Sequence, residues 1–185
     1  MKRMGVRPEV AADHPSIHEV VREAFQDEVT AELVERIRRS ANYIPSRSLV
    51  AEDGGAVVGH IMLSHLLLDD GPDAHRVVTL SPVSVRPDHQ NQGVGSALIE
   101  AGITGAADLD EPLIVLEGSP AYYPRFGFRP AGPFGVVIHL PSWAPPEAAM
   151  VHPLSRYRPE IRGIVRYPPA FDRGNQDRPP PPAGP

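Results

Sequence analysis

Apolar positions along the chain follow two periods and predict a mixed α/β protein. Ile17, Val20 and Val21 recur at helical spacing and predict an amphipathic helix. A second helix is predicted over residues 30–40, and a third begins near Gly93. Shorter apolar or alternating runs predict strands at residues 6–8, 48–52, 56–66, 77–85, 113–116, 134–138, 150–153 and 163–167.

The best-defined stretch runs from residue 83 to residue 98, where a strand enters a tight turn and then a helix. The first N–H groups of a helix have no intrahelical partner, and the helix dipole places partial positive charge there. Gly93 and Gly95 lack a Cβ and allow another molecule to approach the backbone closely. We interpret the turn as an anion cradle suited to phosphates.

The sequence excludes two common phosphate loops at this position. A kinase-like P-loop needs a Lys directly after its last glycine, but Ser96 follows Gly95. The dinucleotide fingerprint needs a third small residue, but Leu98 occupies that place. The pattern that remains, Gln90-x-x-Gly93-x-Gly95, resembles the acetyl-CoA pyrophosphate loop of the GNAT superfamily of N-acetyltransferases.

Two further stretches carry the same resemblance. A second GNAT signature, with an Ala, a Tyr and a Gly-Phe pair, is matched by Ala121, Tyr123, Gly127 and Phe128. The ending Tyr-Pro-Pro-Ala-Phe, residues 167–171, resembles a small bacterial subgroup of GNAT proteins. The implied fold class is α/β (α+β): a mixed, mostly antiparallel sheet with a central, splayed pair of parallel strands, flanked by helices. Residues 1–171 are expected to form this single domain.

The resemblance implies acetyl-CoA as co-substrate and a binding site around the splayed strands. Pro82 lies inside a predicted strand and cannot donate to a ladder, so pairing should open there. By the resemblance, the pantetheine arm of the coenzyme occupies that gap. The residues expected to bind it are Val83, Ser84, Val85, Gln90, Asn91, Gln92, Gly93, Val94, Gly95, Ser96, Ser119 and Tyr122.

The implied reaction is N-acetylation of a primary amine by direct attack in a ternary complex. Tyr123 is the candidate general acid, although Pro124 directly after it departs from the commonest pattern. The central strand has Thr and Ser where family members often have a carboxylate, so Glu117 is the first candidate for the general base. His60, His65 and a water chain are the alternatives. Two other functions stay open: a non-catalytic acyl-CoA-binding or sensing module and a nucleotide-binding regulatory domain.

Composition narrows the classes of partner. The chain has 185 residues, no Cys and a net charge of −5, which argues against disulfides, thiol nucleophiles and an obligatory nucleic acid partner. His14 and His18 have no third ligand nearby in sequence, so no metal site is expected. Without a spanning segment or a signal-peptide core, we expect a cytoplasmic protein, a monomer or homodimer that does not bind membranes. Residues 172–185 are polar and proline-rich and are expected to be a disordered tail.

Overall fold

The computed structural model describes residues 4–172, which form one mixed sheet with helices on both faces. The helices and strands of this range are β1 (Gly5–Pro8), α1 (His14–Phe25), α2 (Glu28–Arg38), β2 (Tyr43–Asp53), β3 (Ala56–Asp69), β4 (Ala74–Val85), α3 (Val94–Ala106), β5 (Leu113–Glu117), β6 (Arg129–Pro130), β7 (Val136–Val137), β8 (Ala149–Pro153) and β9 (Gly163–Arg166). No helix in this range is both long and apolar enough to span a bilayer. The predicted tail lies outside the described residues except for Asp172.

The strand order is β1-β2-β3-β4-β5-β8-β6, and β9 pairs with both β3 and β7. β2 pairs with β3 as far as residue 64 of β3, and β9 then takes over the same edge at residues 67–69. Neighbours run antiparallel except for β4 with β5 and the short pair β7 with β9. The predicted mixed sheet with a central parallel pair is therefore confirmed, whereas the second parallel pair was not predicted.

The alternation of side chains across the sheet produces two apolar cores. One core contains Ile17, Leu33 and Ile37 of α1 and α2, and the other contains Leu98 and Ile99 of α3. We call these two sides of the sheet the α1/α2 face and the α3 face. Successive residues of β5 belong to alternate cores, as expected for a strand that is covered on both sides.

Several predicted element boundaries are wrong; β2, for example, begins at Tyr43 rather than at residue 48. α2 begins at Glu28, two residues earlier than predicted, because the Asp27 carboxylate accepts hydrogen bonds from the backbone N–H groups of Val29 and Thr30 and caps the helix. The strand predicted at residues 134–138 shrinks to β7. Its start is taken by a 3-10 turn that ends at Gly135, where φ is +67°.

Candidate active site

The central feature of the site is a gap between β4 and β5. These parallel strands pair only at Val78↔Ile114 and Thr79↔Val115, although β4 continues to Val85 and β5 to Glu117. Along its other edge β5 is paired over its whole length with β8. The two strands therefore diverge after Thr79, as expected from the resemblance.

Pro82 marks the irregularity in β4 that accompanies this gap. On the β3 side, Ile61 pairs with Val83 and Leu63 pairs with Leu80, so a single β3 residue faces two residues of β4. This two-against-one arrangement is a β-bulge, which bends a strand and increases its twist. The expected opening of the ladder at Pro82 is thus observed as a bulge.

The backbone groups that face the gap follow from the ladder between β3 and β4. The N–H of Arg86 donates to the carbonyl oxygen of Val58. Because hydrogen-bonded and non-hydrogen-bonded pairs alternate along an antiparallel ladder, residues 86 and 84 are hydrogen-bonded to β3 and residue 85 is not. Ser84 therefore directs its backbone at β3, whereas Val83 and Val85 direct theirs toward β5. Ser84 is also buried, so its assignment as a coenzyme contact rests on position alone.

A helix start with free backbone donors lies beside the end of β4. Gly93 is the N-cap residue of α3, has a φ of +85°, and no side chain caps the helix. Three successive N–H groups, those of Val94, Gly95 and Ser96, precede the first intrahelical bond, in which Ala97 N donates to Gly93 O at 3.0 Å. A Cβ added at Gly93 would have no atom within 4 Å, so this position opens to space.

The loop before α3 is held by its own amide side chains. Gln90 Nε2 donates to Val85 O at 3.1 Å, and Gln92 Nε2 donates to Asp88 O at 2.8 Å. Asn91 adopts a left-handed φ of +58°, a conformation that Asn tolerates better than most residues. Gln90 thus ties the loop to the strand end beside the gap, and this fixes the direction of the α3 amides.

Across the gap, the chain leaves β5 and forms one turn that carries both predicted tyrosines. The N–H groups of Tyr122 and Tyr123 donate to Ser119 O at 3.0 and 3.2 Å. The turn continues as a single 3-10 turn from Tyr123 to Phe126, since Pro124 cannot supply the N–H that an α-helix needs. The Arg125 guanidinium lies 3.9 Å from the ring centroid of Tyr122.

Tyr123 packs into the α3 face of the sheet. Its ring lies edge-on to Phe128, with centroids 5.8 Å apart, and its Cε2 atom would stand 2.3 Å from a Cβ at Gly118. Burial, reinforced by neighbouring Tyr122, raises the pKa of Tyr123 well above its ordinary value. The phenol is therefore protonated at neutral pH.

Glu117 approaches the gap from the opposite face. Leu116 belongs to the core under α3 and Val115 to the core under α1 and α2, so alternation directs Glu117 to the α1/α2 face. Its carboxylate is exposed, and its Oε1 accepts a hydrogen bond of 2.7 Å from the Tyr167 hydroxyl. The sequence identified Glu117 but gave no role to Tyr167.

The alternative bases are less accessible. His60 has no exposed surface, and its Nε2 lies 3.0 Å from Ser48 Oγ and 3.2 Å from Glu9 Oε2, while burial lowers its pKa. His65 pairs with Val78, before the strands diverge, and its Nδ1 lies 3.3 Å from a Glu111 carboxylate oxygen. Among residues 4–172 no three His, Asp or Glu side chains are grouped so as to hold a metal ion.

Comparison with known proteins decides the family. The profile of the acetyltransferase (GNAT) domain matches residues 6–131, about two thirds of the chain. This protein belongs to the GNAT acetyltransferase family. The predicted family, fold and acyltransferase class of this GNAT protein are thereby confirmed, whereas the bacterial subgroup inferred from residues 167–171 stays a prediction.

Two curated relatives come from Escherichia coli K12. The GNAT protein is 33% identical to the uncharacterized N-acetyltransferase YjhQ over 119 residues, 64% of this chain and 66% of YjhQ. It is 27% identical to the uncharacterized N-acetyltransferase YhbS over 171 residues, 92% of this chain and 99% of YhbS. The second alignment extends beyond the family profile and includes most of the C-terminal region.

Solved structures show the same fold. The crystal structure of Escherichia coli YhbS in complex with CoA superposes with a TM-score of 0.82 at 26% identity, covering 92% of this chain and 93% of that one. A GNAT acetyltransferase from Brucella melitensis in complex with acetyl-CoA gives a TM-score of 0.75 at 29% identity, covering 93% of this chain and all of that one. The YhbS structure contains CoA, and the Brucella melitensis structure contains acetyl-CoA, the co-substrate that the sequence predicts for the GNAT protein.

Proposed function

We propose that the GNAT protein transfers the acetyl group of acetyl-CoA to a primary amine by direct attack in a ternary complex. The observation that carries this proposal is the divergence of β4 and β5 after Thr79↔Val115, beside the uncapped start of α3. The gap offers backbone donors and acceptors for an extended chain, and the helix start offers positive potential for phosphates. CoA and acetyl-CoA, which the two solved relatives contain, have both of these parts.

The proposed binding residues divide between the two features. The backbones of Val83 and Val85 hold the pantetheine arm, with Ser84 between them, and the loop and helix start from Gln90 to Ser96 hold the pyrophosphate. Ser119 and Tyr122 line the far side of the gap, at the turn after β5. The positive charge of Arg86, which precedes this loop, is offset by two carboxylates, because its Nε lies 3.5 Å from carboxylate oxygens of both Glu23 and Asp88.

The proposed proton transfers use both faces of the sheet. Acetyl-CoA supplies the acetyl group as a thioester. Glu117 accepts the proton that the ammonium group must lose, and the resulting amine forms the new N–C bond as the C–S bond breaks. The N–H of Val83 faces the gap and donates to the carbonyl oxygen on which negative charge develops. Tyr123 gives its proton to the departing thiolate, and the second proton that the acetylated nitrogen must lose returns to the phenolate through solvent.

The first test is calorimetric titration of the purified protein with acetyl-CoA, with ATP and NAD as controls. We expect saturable binding of acetyl-CoA alone. An assay of free thiol release with spermidine, kanamycin, lysine and a short peptide would then identify the class of amine. Binding without thiol release from any amine would favour a non-catalytic acyl-CoA-binding module, and absence of binding would refute the proposed coenzyme site.

The second test removes the proposed acid. We expect Tyr123→Phe to lower kcat by roughly a hundredfold without changing the affinity for acetyl-CoA, because only proton donation is lost. Tyr157→Phe is the matched control, since Tyr157 is also half-buried and packs against Phe134 at a centroid distance of 5.5 Å. Equal turnover in the two variants would remove Tyr123 as the acid.

A further inference from the structure

The C-terminal segment of the described chain, from β9 to Asp172, packs on the α1/α2 face of the sheet and is held there by strand pairing and hydrogen bonds. β9 pairs with residues 67–69 of β3, and a 3-10 turn from Pro169 to Phe171 follows. Phe171 is 8% exposed and belongs to the core under α1 and α2. Arg36 of α2 donates to Ala170 O at 3.3 Å and to Asp172 O at 2.8 Å. The segment is therefore held on both sides of Tyr167.

Tyr167 joins this fixed segment to the end of β5. Its ring packs on Phe171 with centroids 5.6 Å apart, and its hydroxyl donates to Glu117 Oε1 at 2.7 Å. An exposed Glu side chain otherwise samples several rotamers, and each of them would place the carboxylate differently. A hydrogen bond from a packed donor restricts Glu117 to the orientations that keep Oε1 against Tyr167.

This contact leaves the other carboxylate oxygen for a reacting group. Oε2 of Glu117 has no hydrogen-bond partner among residues 4–172. Glu117 lies two residues beyond the last β5 residue that pairs with β4, so it stands at the mouth of the gap. The hydrogen bond to Oε1 therefore orients the carboxylate, and Oε2 remains to accept a proton.

We propose that Tyr167 is the positioning residue for Glu117 and that residues 167–171 form the acceptor side of the active site. This inference rests on the proposed function, because it assumes that Glu117 takes the proton of an incoming ammonium. An amine that carries a positive charge suits the place, since a carboxylate and a partly exposed aromatic ring both attract cations. The segment reaches Glu117 through Tyr167 and is anchored through Arg36.

The test is a double-mutant cycle on the full chain with the best amine from the thiol-release assay. We expect Tyr167→Phe to lower kcat by roughly ten- to a hundredfold, with the affinity for acetyl-CoA and the melting temperature unchanged, because a misaimed base slows chemistry without weakening the coenzyme site. In the Glu117→Gln background the same substitution should cost nothing further. Tyr157→Phe, which removes a hydroxyl elsewhere, should leave turnover unchanged.

A second variant separates positioning by the segment from a direct role of the Tyr167 hydroxyl in the reaction. Arg36→Gln removes the hydrogen bonds to Ala170 and Asp172 without changing Tyr167 or Glu117. We expect this substitution to lower kcat in the wild-type background and to have no further effect in the Tyr167→Phe background. Equal losses from Tyr167→Phe in the wild-type and Glu117→Gln backgrounds would overturn the inference and leave the proposed function intact. Acetyl-CoA binding with no thiol release by the wild type would overturn the proposed function, and this inference with it.

Discussion

Glu9 is the centre of a buried polar cluster that fixes α2 on the sheet, and its removal is a sharp test of the fold. Its side chain is 2% exposed and accepts from Ser48 Oγ at 2.6 Å, Tyr43 Oη at 2.7 Å and Arg38 Nε at 2.8 Å. Burial raises the pKa of Glu9, but the hydrogen bonds from His60, Arg38, Ser48 and Tyr43 outweigh it and hold that pKa far below its usual range.

The perturbation is Glu9→Gln, which keeps the shape of the side chain and removes its charge. Taking one partner from a buried ion pair costs about 3–5 kcal/mol, because the remaining charge is left uncompensated. Arg38 is 8% exposed but keeps a second carboxylate, since its Nη1 lies 2.5 Å from Glu35 Oε1. We therefore expect a loss at the lower end, about 3 kcal/mol in the free energy of unfolding.

Urea unfolding at pH 7, followed by circular dichroism, measures this loss. Glu19→Gln is the matched control, because Glu19 also pairs with an arginine, Arg22, but both side chains are about half exposed. We expect no measurable change in that control. A Glu9→Gln protein as stable as wild type would refute the conclusion that the cluster holds α2 in place.

The same cluster predicts the pH dependence of stability. The folded pKa of Glu9 is depressed, so its contribution is complete above the ordinary value of 4.5 and is lost as the pH falls below it. Burial lowers the pKa of His60 in the folded protein. As the pH falls below 6.5, His60 is therefore protonated in the unfolded chain before it is protonated in the folded one, which favours unfolding. Both effects destabilise the fold in acid. We expect Glu9→Gln to show a shallower loss than wild type below pH 4.5.

Three glycines give further predictions. Gly118→Ala places a Cβ 2.3 Å from the Tyr123 ring and should lower kcat by roughly tenfold in the thiol-release assay, whereas Gly132→Ala, with no atom within 4 Å, should not. Gly93→Val puts a β-branched residue at a φ of +85° and should weaken acetyl-CoA binding in calorimetry; an unchanged affinity would contradict the proposed phosphate site. Gly163→Ala brings a Cβ within 2.3 Å of Asp69 O at a φ of +138° and should lower the melting temperature, so an unchanged value would be evidence against the close contact between β9 and β3.

The features that could be predicted from the sequence are those set by local backbone chemistry. The strand, turn and helix around Gly93 follow from a glycine at the helix start and helical spacing after it, and both are observed. The hairpin between β2 and β3 follows from Gly54 and Gly55, whose φ values are +62° and +87°. Pro82 locates the irregularity in β4 because proline cannot donate to a ladder.

The features that escaped prediction depend on contacts between distant parts of the chain. Glu9 and His60 are 51 positions apart, and neither pattern nor motif indicates that they meet. Tyr167 and Glu117 are 50 positions apart. Their contact depends on the pairing of β9 with β3 beyond the point where β2 stops pairing with it. A single sequence shows which residues are chemically capable, but the pairing of strands decides which of them lie together.

The two faces of the sheet give the proposed mechanism its direction. Tyr123 packs with the core under α3, which is also the side on which the α3 amides begin, whereas alternation along β5 directs Glu117 to the other side. In a direct attack, the amine adds to one face of the planar thioester carbonyl and the thiolate leaves from the tetrahedral centre that results, so the base and the acid must reach two different substituents of that carbon. An acid on one face and a base on the other, with an open gap between them, satisfy that requirement without a covalent enzyme intermediate. The chain contains no Cys that would act as the nucleophile for one. Direct transfer is therefore the simplest chemistry that uses both residues at this gap.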